Sequence, residues 1–126
     1  MKSIQLFLLL FLSLNFSTNS FAQETKEDNQ PKVKTDTFTV YGNCGMCKRT
    51  IEGSLTDVKG VSSAQWDQET DIMTVKYKTK KISLDEIKQK IADTGYDSDT
   101  HRAKLEVYNN LHGCCQYERP PPLETN

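Results

Sequence analysis

Four cysteines are the residues of this chain best suited to chemistry, and two of them, Cys44 and Cys47, are separated by two residues. The segment before them, Thr35 to Tyr41, predicts a strand. The segment after them carries Ile51, Leu55 and Val58 at helical spacing, which predicts a helix from about Cys47 to Asp57. Both sulfurs therefore belong to a loop at a helix N-terminus. There the positive end of the helix dipole and free backbone N–H groups favour thiolates, which opens ligand and nucleophile chemistry near neutral pH. Two thiolates with no neighbouring carboxylate suit a soft ion such as Cu(I) or Hg(II), whereas structural zinc takes four ligands and hard ions take oxygens. The neutral Asn43 adds no charge beside Cys44, which favours Cu(I); Hg(II) and Zn(II) stand as alternatives.

A second cluster, His112, Cys114 and Cys115, lies near the C-terminus. Adjacent α-carbons are about 3.8 Å apart, less than the roughly 4.4 to 6.8 Å of a disulfide, so Cys114 and Cys115 should seek other partners than each other. Those partners are a shared metal ion, Cys44 and Cys47, or a second chain. His112, Cys114 and Cys115 are therefore candidate additional ligands. Met46 has a soft sulfur but is expected to fill a hydrophobic position or lie exposed rather than to bind metal. His101 has no companion at ligand spacing and is expected at the surface. The chain has no Ser-His-Asp set and no phosphate loop, and Asp85 with Glu86 only decorates a helix start, so no enzyme is expected.

The elements that must hold these residues follow from pattern. Phe38 and Val40 share a strand face. Val61 to Asp67 and Ile72 to Lys78 read as a hairpin across the polar turn Gln68 to Asp71, and Gly60 ends the helix before it. Ser83 and Glu86 form a capping box that opens a helix with Leu84, Ile87 and Ile91 inward, stopped by Gly95. A short edge strand is placed over Asp97 to Arg102, followed by a helical stretch from Lys104 to Leu111. Tyr117 to Asn126, with three consecutive prolines, is expected to be an extended, mobile end. The order predicts an α+β, ferredoxin-like βαββαβ sandwich: two helices on one face of a four-stranded antiparallel sheet, with a short helical C-terminal tail.

Cys44, Gly45, Met46 and Cys47, followed by Ile51, Leu55, Val58, Gly60 and Val61 and later by Gly95 and Tyr96, resemble the heavy-metal-associated domain of copper chaperones, metal-transporting ATPases and periplasmic mercuric-ion binding proteins. The resemblance spans about Thr35 to Arg102. It implies that Cys44 and Cys47 bind one soft ion, typically Cu(I), and pass it on by ligand exchange. It also implies that Tyr96 lies near the metal loop, either shielding it or simply packing in the core. One departure is visible: the family usually has Met two residues before its first cysteine, packed beneath the loop, and here that position is Gly42. A thioredoxin-like redox protein is the competing CxxC reading. It usually has a cis-proline facing the cysteines, and this chain has no proline between Pro31 and Pro120.

The N-terminus bears on compartment. Lys2, the mostly apolar run Ile4 to Phe16 and the small residues Ser20 and Ala22 read as a signal peptide over residues 1–22, too short in its apolar part for the roughly 20 residues of a membrane span. Removing 22 residues from 126 leaves 104, enough for one small domain. The expected organisation is a signal peptide, a disordered linker over 23–34, the metal domain over 35–102 and a Cys/His-containing tail over 103–126. Losing Lys2 leaves 15 basic against 17 acidic residues, a net charge near −2, and Lys76, Lys78, Lys80 and Lys81 read as a solvated strand face and turn, so nucleic acid is not an expected partner. The expected protein is secreted or periplasmic, with no stable anchor after cleavage: a Cu(I) metallochaperone or buffer, or alternatively an Hg(II) scavenger or a thiol–disulfide redox protein. Its expected partner is a metal-transporting membrane protein or another metal-binding domain. A monomer is expected, with a metal-bridged dimer as the variant.

Overall fold

The computed structural model describes residues 32–124; the expected signal peptide and most of the expected linker lie outside the described residues. Strand β1 (Val33–Thr39) pairs antiparallel with β3 (Ile72–Lys78), which pairs antiparallel on its other side with β2 (Val61–Trp66), giving the order β1-β3-β2. The linker expected to reach residue 34 stops short, because Val33 and Lys34 already pair with Lys78 and Tyr77. On β3 the buried residues Met73, Val75 and Tyr77 alternate with exposed ones, Lys76 and Lys78 among them. Side chains of a strand alternate between its faces, so a single face carries the core.

Both main helices cover that face. Helix α1 (Gly45–Gly53) buries Cys47 and Ile51, and α2 (Leu84–Asp93) buries Ile87, Ile91 and Ala92. The capping box that opens α2 is formed: the Ser83 hydroxyl accepts the Glu86 N–H at 3.1 Å, and the Glu86 carboxylate accepts the Ser83 N–H at 2.8 Å. Such a cap contributes about 1 kcal/mol. Gly95, at φ +108°, adopts a left-handed backbone just beyond this helix that a residue with a Cβ rarely takes.

The expected fourth strand is reduced to one bridge, Val40 with Ser98. The Tyr41 N–H donates to the Asp97 carbonyl at 2.9 Å, but the chain then turns: the Ser98 N–H donates to the His101 carbonyl at 2.8 Å, and the Ser98 hydroxyl accepts the His101 N–H at 3.1 Å. Local side-chain bonding by serine thus outcompetes a ladder that this polar, β-poor segment would fill weakly. Among the described residues the sheet has three strands, not the four expected.

The early turn sends the chain back. Helix α3 (Leu105–Asn109) and a 3₁₀ turn (Gly113–Cys115) follow, and the first part of the segment expected to be mobile, Tyr117 to Pro121, is instead docked. Tyr117 is buried and stacks on Tyr96 with centroids 5.7 Å apart. Its hydroxyl accepts the Asp97 N–H at 2.7 Å and donates to the Gly95 carbonyl at 3.0 Å. Arg119 makes two bonds, 2.7 and 2.8 Å, to the fully buried Asp97 carboxylate.

Candidate metal centre

Cys44 is the N-cap of α1, with extended backbone (φ −146°, ψ 173°), so its sulfur faces the first turn of the helix. Its thiol is pulled down to about 6, first by the backbone N–H of Cys47 and then, against the opposing effect of burial, by the thiols of Cys47, Cys115 and Cys114. Helix N-termini lower thiol pKa in this way because unpaired N–H groups solvate the anion. Cys47 is completely buried, and its sulfur receives the Asn43 N–H at 3.4 Å. The two sulfurs of the loop are 3.3 Å apart.

Beneath the loop, the indole of Trp66 lies where a side chain at position 42 would go. A Cβ on Gly42 would fall 2.9 Å from the Trp66 ring and 3.3 Å from the Cys47 Cβ. Trp66 is itself tied down, its indole N–H donating to the Val40 carbonyl at 2.8 Å. The departure at Gly42 therefore has a partner: a large ring from β2 fills the space below the cysteines. Trp66 and Gly42 lie 24 positions apart in the chain, so no local pattern connects them.

The tail brings two more sulfurs to this place. Cys115 Sγ is 3.5 Å and Cys114 Sγ 3.6 Å from Cys44 Sγ. The ligand atoms of Cys44, Cys47 and Cys115 all lie within 4.8 Å of one another, and all four cysteines are free thiols. Cys115 is buried, and burial pushes its thiol up to about 12. Cys114 is exposed, 3.6 Å from Met46 Sδ and 3.6 Å from His112 Nδ1. His112 thus reaches the cluster through Cys114. His101 lies apart, 3.0 Å from Asp85.

Tyr96, fully buried, completes the inner wall. Its hydroxyl is the one buried side-chain polar atom among the described residues with no hydrogen-bond partner. Burial, followed by the neighbouring Cys115 and Cys47 thiols, raises its pKa. The arrangement is a pocket of soft donors, walled by aromatic rings, with a helix N-terminus on one side. Part of the chain is shared with known proteins: residues 37–97 match the heavy-metal-associated domain. The copper chaperone CopZ of Staphylococcus aureus is 36% identical over 55 residues, 44% of this chain and 81% of the relative.

The chain belongs to the heavy-metal-associated domain family.

Solved structures agree. Oxidized MerP from Ralstonia metallidurans is 30% identical, with 54% of this chain covering 96% of that one at a TM-score of 0.51. The N-terminal domain of a potential copper-translocating P-type ATPase from Bacillus subtilis, in the Cu(I)-loaded state, is 26% identical, with 53% of this chain covering 85% of that one at a TM-score of 0.51. The family match ends at residue 97, so Cys114 and Cys115 lie beyond it. The sulfur cluster joins the family's loop to a segment outside the family's span.

Proposed function

We propose that this protein is a non-catalytic Cu(I) carrier or buffer that works outside the cytoplasm. It takes one ion on Cys44 and Cys47 and passes it by ligand exchange to another soft-metal domain, such as that of a metal-transporting ATPase. The observation that carries this reading is the pair of sulfurs 3.3 Å apart at the N-terminus of α1, one of them a thiol lowered to about 6. Such a pair offers a thiolate near neutral pH with no carboxylate to recruit a hard ion. The kinship with CopZ supports copper as cargo. The compartment is inferred from the apolar run Ile4 to Phe16 followed by Ser20 and Ala22.

Native mass spectrometry of the reduced full chain, titrated anaerobically with Cu(I) and Zn(II) under a competing chelator, tests the reading. The chain should retain one Cu(I) and surrender Zn(II), and a chain carrying Cys44→Ser and Cys47→Ser should retain neither. Unchanged Cu(I) retention by that double variant would remove the loop from the site. Growth of a strain lacking the gene on copper and on mercury salts separates the Cu(I) cargo from the Hg(II) alternative. Catalytic reduction of insulin disulfides at the rate of a thioredoxin would assign the pair to redox work instead.

A further inference from the structure

We propose that the C-terminal tail is a built-in third ligand and release gate: Cys115 joins Cys44 and Cys47 in a three-thiolate site, and must leave before the ion can pass to another protein. This rests on the Cu(I) reading above and adds to it the coordination number and the control of release.

The sulfur geometry comes first. With metal–sulfur bonds of about 2.3 Å, two ligands in line stand roughly 4.6 Å apart and three in a trigonal plane roughly 4 Å. The separations here, 3.3 Å between Cys44 and Cys47 and 3.5 Å between Cys44 and Cys115, with all three sulfurs within 4.8 Å, fall nearer the trigonal arrangement. A buried cysteine is often only a small apolar filler. The sulfur of this one lies 3.5 Å from Cys44 Sγ and 3.9 Å from Cys114 Sγ.

Tyr96 is the second observation. A fully buried hydroxyl without an acceptor is uncommon in a well-packed core. It neighbours the Cys115 and Cys47 sulfurs, which are poor acceptors as thiols and good ones as metal-bound thiolates. Loading the site with a soft ion therefore gives the Tyr96 O–H the acceptor that the thiol form withholds. Partners of this kind orient and tune metal ligands.

The third observation is that the tail is held by contacts unrelated to sulfur. Arg119 grips Asp97, Tyr117 bonds across Gly95 and Asp97, and Leu111 packs onto Gly95, where a Cβ would come within 2.9 Å of it. These contacts flank the 3₁₀ turn that carries Cys115 and hold the thiol at high effective concentration beside the loop. Cys114 lies on the outer side, exposed.

Transfer then follows a balanced exchange. A thiol of the receiving protein loses its proton and forms a metal–sulfur bond, the bond to Cys115 breaks, and the Cys115 sulfur takes up a proton. The oxidation state of the ion does not change. Because the tail occupies the coordination position an incoming thiol needs, the chain holds its cargo more tightly, and yields it more slowly, than the loop alone would.

X-ray absorption of the reduced, full-length chain loaded with one equivalent of Cu(I) reads the coordination number directly. Three sulfurs are expected in the wild type and in Cys114→Ser, and two in Cys115→Ser and Cys115→Ala. In a chelator competition the Cys115 variants should bind Cu(I) about a hundredfold more weakly and release it correspondingly faster, the effect of losing a tethered ligand. Two-sulfur coordination in the wild type would overturn the proposal while leaving the Cu(I) reading intact, and failure of the wild type to take up Cu(I) would overturn that reading itself. The wild-type and Cys114→Ser spectra together decide even where a Cys115 variant does not fold.

Discussion

The loop cysteines and the tail cysteines are the same chemical group in opposite environments. Cys44 caps a helix, where unpaired N–H groups pull its thiol down to about 6; Cys115 sits in the buried core, where burial pushes its thiol up to about 12. The sulfurs are nevertheless only 3.5 Å apart. Local backbone geometry makes one a ready thiolate, while tertiary packing brings the other to it and keeps it protonated. The loop is thus built to capture an ion and the tail to retain it.

The sharpest way to break this comparison is to weigh the two cysteines against each other. Cys44→Ser should weaken Cu(I) binding on the order of a thousandfold, as both chelation and the bridge to the tail are lost, against about a hundredfold for Cys115→Ser. Chelator competition measures both. The reverse order would make the tail the primary site.

Arg119→Ala attacks the clasp from a distance. Asp97, fully buried, would lose its two short bonds to Arg119 and keep the Ala103 N–H at 2.8 Å and Arg102 at 3.8 Å, and stripping a buried charge of its ion-pair partner typically costs about 3 kcal/mol. Urea unfolding should show that loss. The chain should still bind Cu(I) through the loop, with the affinity moving toward that of Cys115→Ser. A stability loss without any change in affinity would separate the clasp from the metal site.

Gly42→Ala tests the floor of the loop. The added Cβ meets the Trp66 ring at 2.9 Å, and overpacking of this kind costs about 1 to 2 kcal/mol, read as a lowered Tm. Pairing Gly42→Met with Trp66→Leu should recover part of what Gly42→Met loses alone, since contacting sites are not additive. Full additivity would mean that the ring and the glycine are unrelated.

The smallest effect changes reactivity and leaves the fold alone. Mass-mapped iodoacetamide labelling of the reduced apo chain should show the rate at Cys44 rising with pH to half its maximum near 6, because only the thiolate reacts. Cys115, buried and raised to about 12, should stay unlabelled through neutrality. Equal labelling of the two at pH 7 would erase the contrast.

Much of the molecule is written in local pattern. Cys44 and Cys47 fall at a strand-to-helix junction because strand alternation gives way to helical spacing within a few residues. Ser83 with Glu86 announces α2, and the two strands from Val61 to Lys78 form the hairpin their alternation predicts. These are contacts between near neighbours, so neighbours in sequence reveal them. Kinship with the heavy-metal-associated family was readable for the same reason, since its motif is a short run of residues around that junction.

What the sequence could not settle depends on residues far apart in the chain. Asp97 to Arg102 has the right place for a strand, but Ser98 turns it and Asp97 is drawn into the core by Arg119, 22 positions on. Tyr117 and the segment up to Pro121 look like a loose end by composition, yet they dock because Tyr96, Gly95 and Arg102 present complementary surfaces. Gly42 reads as a missing methionine until Trp66 is seen filling the space. Helix capping and strand alternation act over a few residues, so a soft-metal loop on an α+β frame is legible in the chain alone. That Cys115 stands 3.5 Å from Cys44 emerges in the folded chain alone, because that distance is the outcome of a return path closed by an aspartate, an arginine and a stack of tyrosines.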